Sequence, residues 1–265
     1  MYKFGFIGSG NMGSALAKAV CSSAGSENVI VCDADSGRAE KLASALGCAC
    51  GDIHKVADES KYIFIAVKPQ VLESMFSEIT GMLSARDDRF ILVSMAAGTK
   101  IEKIERLSGV RCPVIRIMPN VAASVGAAMT LCAANKLVSN AEYDYFIDVM
   151  GASGRLDRVE EEKIDAYSLV TGCGPAWVYL MIEALADGQV DIGVPRDKAY
   201  LYTAQMVAGA AELMLKSGKI PAELKDSVCS PGGTTIEGVR ALENKSFRAA
   251  LIEAVRASYD KTVNM

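Results

Sequence analysis

The chain has 265 residues, of which 51% are hydrophobic and 23% are charged, and its formal net charge is −4. This length and this hydrophobic content predict a globular protein of about two domains. The mildly acidic balance, without a Lys/Arg-rich block or a basic amphipathic helix, argues against nucleic acid and against a membrane surface as partners.

The cysteines and the first residues indicate a cytoplasmic location. The eight cysteines show no CxxC spacing and are accompanied by one histidine, His54, which argues for free thiols in a reducing compartment and against a zinc site. The N-terminus opens on a strand-like run, without a charged segment followed by an apolar one. No 18-residue apolar stretch is free of charges and helix breakers.

The first half of the chain alternates strand-like and helix-like segments. The strand-like runs are residues 3–7, 29–32, 62–67, 90–93 and 114–118, separated by segments of helical periodicity such as 70–83 and 100–107. Apolar strands joined by helices predict a Rossmann-like, doubly wound α/β domain over residues 1–160, with helices on both faces of a parallel sheet. Ligands of this architecture bind beyond the carboxyl ends of the strands.

A dinucleotide-binding motif follows the first predicted strand. Residues 8–13, Gly-Ser-Gly-Asn-Met-Gly, fit G-x-G-x-x-G between a strand and a helix. Gly8 permits the tight turn, Gly10 lets the backbone approach a pyrophosphate, and Gly13 lets the helix lie close to the strand. An acidic residue, Asp33, ends the second predicted strand 33 − 13 = 20 residues later. The context favours dinucleotide binding over a merely tight, glycine-rich turn.

Asp33 also bears on the choice of nicotinamide cofactor. A carboxylate at this position accepts hydrogen bonds from a ribose 2′-hydroxyl and repels a 2′-phosphate, to which Ala34 offers no donor. Ser36, Arg38 and Lys41 could turn toward a phosphate, although a solvated first helical turn explains them equally well. The sequence therefore favours NADH over NADPH.

Three further strand ends are expected to line the same crevice. Small residues within 66–69 (Ala-Val-Lys-Pro) and 96–98 (Ala-Ala-Gly) would let a ribose and a nicotinamide pack closely. Asn120 lies at the third of these strand ends. Its amide could contact the nicotinamide or the substrate, or it could satisfy the local backbone in an Asx-type turn. The residues assigned to the cofactor are Gly8, Ser9, Gly10, Asn11, Met12, Asp33, Ala66, Val67, Lys68, Pro69, Ala97 and Asn120.

The second half of the chain is predicted to be an all-α domain over residues 161–265. Its helix-like segments are 161–170, 175–190, 196–217, 221–228, 234–243 and 246–263. Two stretches, 176–187 and 200–215, are apolar nearly all round the helix and must be buried on all sides. About 105 residues (265 − 160) have too much surface for their volume to hide both, so we expect an obligate homo-oligomer in which copies of this domain pack together.

Two glycine-containing interruptions of this helical domain indicate a substrate site. In residues 230–235, Ser-Pro-Gly-Gly-Thr-Thr, the proline and glycines keep the backbone out of a helix, and the two threonines are expected to cap the next one. A helix start with hydroxyl groups beside it suits a small carboxylate, although a simple stop and restart between helices is an equal alternative. Residues 171–175, Thr-Gly-Cys-Gly-Pro, are expected to form a second interruption of this kind.

Taken together, the motifs resemble those of the pyrroline-5-carboxylate reductases over essentially the whole chain. The resemblance rests on residues 6–13 (FIGSGNMG), 66–70 (AVKPQ), 116–120 (RIMPN), 165–188 (DAYSLVTGCGPAWVYLMIEALADG), 224–243 (LKDSVCSPGGTTIEGVRALE) and 246–255 (SFRAALIEAV). It implies NAD(P)H-dependent reduction of 1-pyrroline-5-carboxylate to L-proline by an interlocked helical dimer, which often assembles into a decamer of five dimers. It also implies an active site between one subunit's nucleotide domain and the helical domains of the dimer.

Three departures from the family pattern concern the same regions. Residues 171–177 read TGCGPAW where the family usually has SGSGPAY, so the thiol of Cys173 replaces a hydroxyl. Residues 121–122 are Val-Ala instead of a common Thr-Pro. Residues 33–34 are Asp-Ala where many NADPH-using members have Asn-Arg, which agrees with the preference for NADH.

The chemistry of a cyclic imine calls for positioning more than for a strong acid. The imine accepts hydride once its nitrogen is protonated or hydrogen-bonded, because cationic character at nitrogen makes the adjacent carbon electrophilic. We expect backbone N–H groups at 233–235 to bind the carboxylate, and the hydroxyl of Thr235, as the catalytic residue, to bond the ring nitrogen. The residues assigned to the substrate are Ser230, Gly233, Thr234, Thr235, Thr171 and Asn120.

Two other functions are compatible with parts of the pattern. A β-hydroxyacid dehydrogenase has a similar N-terminal motif and a helical domain, but it needs a catalytic lysine, for which Lys163 in a charged run is the candidate near the domain junction. A redox-inactive dinucleotide-binding protein would use the helical domain for protein contacts. The hydroxyl-rich, glycine-flexed loops argue against this second alternative, since a docking surface gains nothing from them.

Overall fold

In residues 1–263, which the computed structural model describes, eight strands form a single sheet. They are β1 Tyr2–Ile7, β2 Val29–Cys32, β3 Ala49–Cys50, β4 Ser60–Ile65, β5 Ile91–Ser94, β6 Val114–Met118, β7 Ala128–Ala134 and β8 Gly154–Arg158. Their order is β3-β2-β1-β4-β5-β6-β7-β8, and neighbours are parallel except for the antiparallel pair β6 and β7. The connection from β3 to β4 crosses the sheet, so the carboxyl ends of β1 and β4 flank the point where the strand order reverses.

Six α-helices accompany the sheet in this part of the described chain. They are α1 Asn11–Ala24, α2 Ser36–Leu46, α3 Ile53–Glu59, α4 Leu72–Ala85, α5 Ile101–Ser108 and α6 Asn140–Met150. One apolar core packs the α4 side chains of Leu72 and Phe76 against Ile65 of β4. A second core contains Phe6 and Phe64, whose rings stack with centroids 4.3 Å apart. The predicted doubly wound fold, with both faces of the sheet covered, is confirmed.

Five further helices follow β8 within the described residues. They are α7 Glu161–Asp191, α8 Arg196–Ser217, α9 Pro221–Ser227, α10 Thr234–Asn244 and α11 Phe247–Val263. The predicted all-helical second half is therefore confirmed. The first compact unit extends over Met1–Gly172 and the second begins at Cys173, so α7 starts in the first unit and continues into the second.

The expected interruption at residues 171–175 is wrong, because α7 continues through it as one helix of 31 residues with Pro175 inside. The glycines at 172 and 174 lower helix propensity by about 1 kcal/mol each, which the packing of a long helix can offset. The proline removes one intrahelical donor, and a side chain from outside the helix compensates for it, as described below.

The helix α7 also has the length and composition of a membrane span, and it is the one such helix among the described residues. Only 17% of the 18-residue apolar segment of this helix is buried within the chain. Tyr179 and Leu180 on α7, and Leu201 on α8, are largely exposed. These helices thus present apolar surface that the chain itself does not cover.

Candidate functional site

The glycine motif forms the turn between β1 and α1, and two of its glycines are sterically required. Gly8 has a φ of 107°, and a Cβ there would lie 2.7 Å from the carbonyl oxygen of Ala66. A Cβ on Gly13 would lie 2.2 Å from the carbonyl oxygen of Gly8. Gly10 differs from both, because no atom lies within 4 Å of its Cβ position. The backbone is thus closely packed beneath the turn and open above Gly10.

The N-terminus of α1 is free to receive an anion. Gly10 is the N-cap residue, so no side chain caps the helix, and the first turn carries no acidic residue. The backbone N–H of Ser14 bonds the carbonyl of Gly10, which leaves the N–H groups of the first turn without intrahelical acceptors. These donors and the positive end of the helix dipole together suit a phosphate group.

Asp33 lies beside this turn at the end of β2. Its carboxylate accepts hydrogen bonds from the backbone N–H of Ser9 at 2.6 Å and from that of Asp35 at 3.0 Å. The Arg38 guanidinium lies 3.9 Å from the Asp33 carboxylate. The acidic group thus fixes the glycine turn to the second strand.

A cavity of about 480 Å³ lies at the carboxyl edge of the sheet. Six of the residues assigned to the cofactor line it: Gly8, Gly10, Asp33, Ala66, Val67 and Lys68. Asn11 and Met12 line a separate depression between α1 and α2. Ser9 is buried under the turn, and Pro69, Ala97 and Asn120 line neither space. The structure therefore brings together the residues that follow the carboxyl ends of β1, β2 and β4.

The cavity also has walls that the sequence did not indicate. Asp52 and Ile53 lie at the start of α3, just after β3, and Ser74, Met75 and Glu78 come from α4. The third strand has only two residues, too few to produce a recognisable strand pattern, so the sequence pattern does not mark Asp52 as following a strand. The α4 residues follow from packing of that helix beside β4, which a motif search does not detect.

Asn120 and Thr171 form a contact within the first unit. The Asn120 Oδ1 accepts from the backbone N–H of Ala122 at 3.1 Å, and its Nδ2 donates to the carbonyl oxygen of Thr171 at 2.9 Å. The Thr171 hydroxyl donates to the carbonyl oxygen of Ser168 at 3.2 Å. Both side chains assigned to the substrate thus have protein partners.

The loop before α10 has the backbone of a tight turn. The N–H of Gly233 donates to the carbonyl oxygen of Ser230 at 3.0 Å, and Gly232 between them has a φ of 67°. A proline followed by a residue with positive φ is typical of a type II turn. A Cβ on Gly233 would lie 2.4 Å from the Ser230 hydroxyl oxygen, so a side chain there would require this hydroxyl to rotate away.

The expectation that the two threonines cap the following helix is wrong. The helix α10 begins at Thr234 itself, and its N-cap is Gly233, which has no side chain to offer. The physical reason is that the type II turn ends at Gly233, so both threonines already have helical backbone. Thr234 and Thr235 are exposed, and the first N–H groups of α10 remain without a side-chain acceptor.

Lys163 does not have the surroundings of a catalytic lysine. Its Nζ lies 2.7 Å from the Glu160 carboxylate, and its side chain is about half exposed. The hydrogen bond to Glu160 raises the pKa of Lys163 above its usual value. A proton donor working near neutral pH needs the opposite shift, produced by burial.

The fold and this sheet edge define a class of protein, an oxidoreductase with a dinucleotide-binding sheet followed by a helical region. Residues 161–265 match the family model for pyrroline-5-carboxylate reductase dimerisation, and residues 3–98 match one described as NADP oxidoreductase, coenzyme F420-dependent. The chain is 39% identical to a pyrroline-5-carboxylate reductase of Escherichia coli over 263 residues, covering 98% of this chain and 97% of that one. The chain belongs to the pyrroline-5-carboxylate reductase family.

Plant and structural relatives agree with this assignment. The Arabidopsis thaliana pyrroline-5-carboxylate reductase is 38% identical over 260 residues, covering 97% of this chain and 93% of the relative. The solved pyrroline-5-carboxylate reductase of Coxiella burnetii aligns with a TM-score of 0.90 at 27% identity over 99% of this chain and 98% of that one. The Plasmodium falciparum pyrroline carboxylate reductase, solved with NADP bound, aligns with a TM-score of 0.85 at 30% identity over 98% and 97%.

Proposed function

We propose that this protein reduces 1-pyrroline-5-carboxylate to L-proline, the last step of proline biosynthesis, by hydride transfer from a nicotinamide cofactor to the cyclic C=N bond. The observation that carries the proposal is the full-length identity of 39% with the Escherichia coli enzyme. An assay of NADH or NADPH oxidation with pyrroline-5-carboxylate tests it directly. The same enzyme incubated with 3-hydroxyisobutyrate and NAD should not reduce NAD. Activity in this second assay alone would favour a β-hydroxyacid dehydrogenase.

The cofactor is proposed to bind at the carboxyl edge of the sheet. The uncapped N-terminus of α1 and the open space above Gly10 would receive the pyrophosphate. The cavity beside Asp33 would receive the adenosine ribose, and the small residues Ala66 and Val67 would lie against the ribose and nicotinamide on the other side. When bound, the dihydronicotinamide supplies the hydride, and the protein supplies its position.

We propose that NADH is preferred to NADPH. A 2′-phosphate in this cavity would approach the Asp33 carboxylate, and Asp52 adds a second negative charge to the lining. Arg38 partly offsets this charge, but it is already directed toward Asp33 at 3.9 Å. Like charges at short distance disfavour binding of the phosphate.

The preference is tested with Asp33→Asn. The change removes the charge and keeps a group of the same shape, so the ratio of kcat/KM for NADPH to that for NADH should rise about tenfold or more. Asp35→Asn is the matched control, because Asp35 caps α2 through the N–H of Arg38 and does not line the cavity. An unchanged ratio in Asp33→Asn, or an equal rise in the control, would contradict this role of Asp33.

The substrate is proposed to bind at the N-terminus of α10. The N–H groups of Thr234 and Thr235 would bind the carboxylate, as expected for a small anion at an uncapped helix start. The N–H of Gly233, which the sequence also assigns to this role, already donates to the Ser230 carbonyl. The Thr235 hydroxyl, which is exposed, would bond the ring nitrogen and favour the cationic character that the hydride acceptor needs. The Ser230 hydroxyl, close to Gly233, would complete the polar side of this turn.

The role of Thr235 is tested by comparing alanine and serine at this position. We expect Thr235→Ala to lower kcat/KM for pyrroline-5-carboxylate about a hundredfold or more, with the KM for NADH nearly unchanged, because only the bond to the imine is lost. Thr235→Ser keeps the hydroxyl and should retain most of the activity. The control Ser227→Ala removes a hydroxyl that donates to the Leu224 carbonyl in α9. An unaffected catalytic efficiency in Thr235→Ala would rule out the role.

Domain organisation, assembly and location complete the proposal. We propose that residues 1–160 form the dinucleotide-binding domain and residues 161–265 the helical domain, a boundary supported by the start of the dimerisation family model at residue 161. That match and the exposed apolar side chains of α7 and α8 support a homodimer, and we propose that five dimers assemble into a decamer. We propose that the protein acts in the cytoplasm.

A further inference from the structure

Inside the helix α7, one backbone carbonyl lacks the N–H donor that the α-helical pattern would normally provide. In an α-helix the carbonyl of Thr171 accepts from the N–H of residue 175. Residue 175 is proline, which has no N–H and whose ring crowds that same carbonyl. A continuous helix at this point therefore requires another donor for the Thr171 carbonyl.

The side chain of Asn120 is this donor. Its Nδ2 lies 2.9 Å from the Thr171 carbonyl oxygen, while its Oδ1 accepts from the N–H of Ala122 at 3.1 Å. The second bond fixes which way the amide faces, because a rotated amide would place its oxygen against the Thr171 carbonyl and its NH₂ against an N–H. Asn120 follows the buried Pro119 at the end of β6, so the donor comes from the rigid sheet edge.

The first turns of α7 are attached to the sheet domain at other points as well. The buried Arg116 of β6 pairs with the carboxylates of Glu161 and Asp165. The Glu161 carboxylate also accepts from the backbone N–H of Ile101 at 2.6 Å. These contacts fix the beginning of the helix, whereas the Asn120 bond fixes the turn that contains Thr171, two turns further on.

We propose that Asn120 is a positioning residue that supplies the hydrogen bond missing at Pro175 and thereby holds the Thr171 turn of α7 against the carboxyl end of β6. The inference rests on the proposed function for its kinetic consequence, because Thr171 belongs to the residues assigned to the substrate. This positioning role differs from direct contact between the Asn120 amide and a ligand, because the effect of losing such a contact would not depend on residue 175.

The dependence on residue 175 provides the test. We expect Asn120→Ala to lower Tm by about 5 °C at fixed protein concentration, because the Thr171 carbonyl loses its donor. Pro175→Ala restores an N–H at residue 175, so the same Asn120→Ala change in that background should lower Tm by less than half as much. The control is Asn135→Ala, whose amide bonds the Cys112 carbonyl and the Val114 N–H, neither of them in α7, and which should therefore lower Tm equally in both backgrounds. Equal losses for Asn120→Ala in the two backgrounds would overturn the proposal.

Kinetics provide a second readout that general destabilisation would not reproduce. We expect Asn120→Ala to lower kcat about tenfold with the KM for NADH unchanged, and Pro175→Ala to recover a large part of that loss. Asn120→Asp keeps the acceptor toward Ala122 but cannot donate to Thr171, so it should behave like Asn120→Ala. Wild-type kcat in Asn120→Asp, or no recovery by Pro175→Ala, would overturn the proposal. Absence of wild-type activity on pyrroline-5-carboxylate would count against the proposed function alone, because the Tm comparison is independent of it.

Discussion

Gly10 and Gly13 belong to the same six-residue motif, yet the structure gives them separable roles. A methyl group on Gly13 would overlap the Gly8 carbonyl at 2.2 Å, whereas one on Gly10 would meet no atom within 4 Å. Gly13 is therefore required for the fold itself. Gly10 has no such steric role, and we propose that it is needed for the ligand that binds above the turn.

Substituting each glycine by alanine separates stability from cofactor binding. Gly13→Ala should lower Tm by roughly 5 °C, since overpacking of this kind costs about 1–3 kcal/mol. Gly10→Ala should leave Tm unchanged but raise the Kd for NADH, because the new methyl occupies the space proposed for the pyrophosphate. Thermal unfolding and NADH fluorescence titration of both variants check this. A Gly10→Ala protein with native NADH affinity would place the pyrophosphate elsewhere.

Glu142 is a residue through which pH should affect stability. The Arg89 guanidinium, 2.6 Å away, lowers the pKa of the Glu142 carboxyl from 4.5 to about 2, and hydrogen bonds from Ser139 contribute. A shift of this size corresponds to roughly 3 kcal/mol. Arg89 is 52% exposed, however, so screening by solvent reduces the contribution to about 1 kcal/mol.

The sign follows from a folded-state pKa that lies below the unfolded one. The contribution of Glu142 is fully present above pH 4.5 and is lost as the pH falls from 4.5 toward 2. Glu142→Gln should therefore be about 1 kcal/mol less stable than the parent at pH 7. This difference in unfolding free energy should disappear as the pH approaches 2. Urea unfolding at several pH values measures it. A gap that does not change with pH would show that the pair with Arg89 is not its cause.

Secondary-structure elements differ in how far the sequence predicts them. The strands β1, β2 and β6 were predicted within a residue of their bounds because they are short apolar runs next to glycine, proline, asparagine or aspartate. The strands β7 and β8 were missed, since β7 is rich in alanine and the partly exposed β8 reads Gly-Arg-Leu-Asp-Arg, without an apolar pattern. Local composition therefore predicts the strands that are rich in β-branched and aromatic residues and fails at the β7–β8 end of the sheet.

The candidate site shows the same division between local and tertiary information. The glycine turn and the end of β4 were predicted because a motif and its strand context are local signals. The continuity of α7 was not predictable from residues 171–175, because the donor that replaces the proline N–H comes from Asn120, 51 positions before Thr171. The helical segment that begins at residue 234 is predicted, but the capping role of its threonines is wrong, since the turn geometry that ends at Gly233 makes this glycine the N-cap.

At the scale of the whole molecule, the uncovered apolar surface on α7 and α8 requires explanation. Tyr179, Leu180 and Leu201 are 62%, 67% and 65% exposed, and Tyr179 and Leu180 line a groove together with Tyr200 of α8. Such a surface marks an interaction site. The match of residues 161–265 to a dimerisation family model favours a second copy of this chain over a membrane as the group that covers it.

A charged residue on this surface should therefore disrupt the assembly. We expect Leu180→Asp and Leu201→Asp to shift the protein from oligomer to monomer in sedimentation velocity at micromolar concentration, and to lower Tm, because burial of an unpaired carboxylate in an apolar interface is costly. The control is Val125→Asp, which places the same charge on a side chain that is 77% exposed but lies outside the matched helical region. If the parent protein sediments as a single monomeric species, or if both leucine variants keep its oligomeric state, these helices do not form the interface.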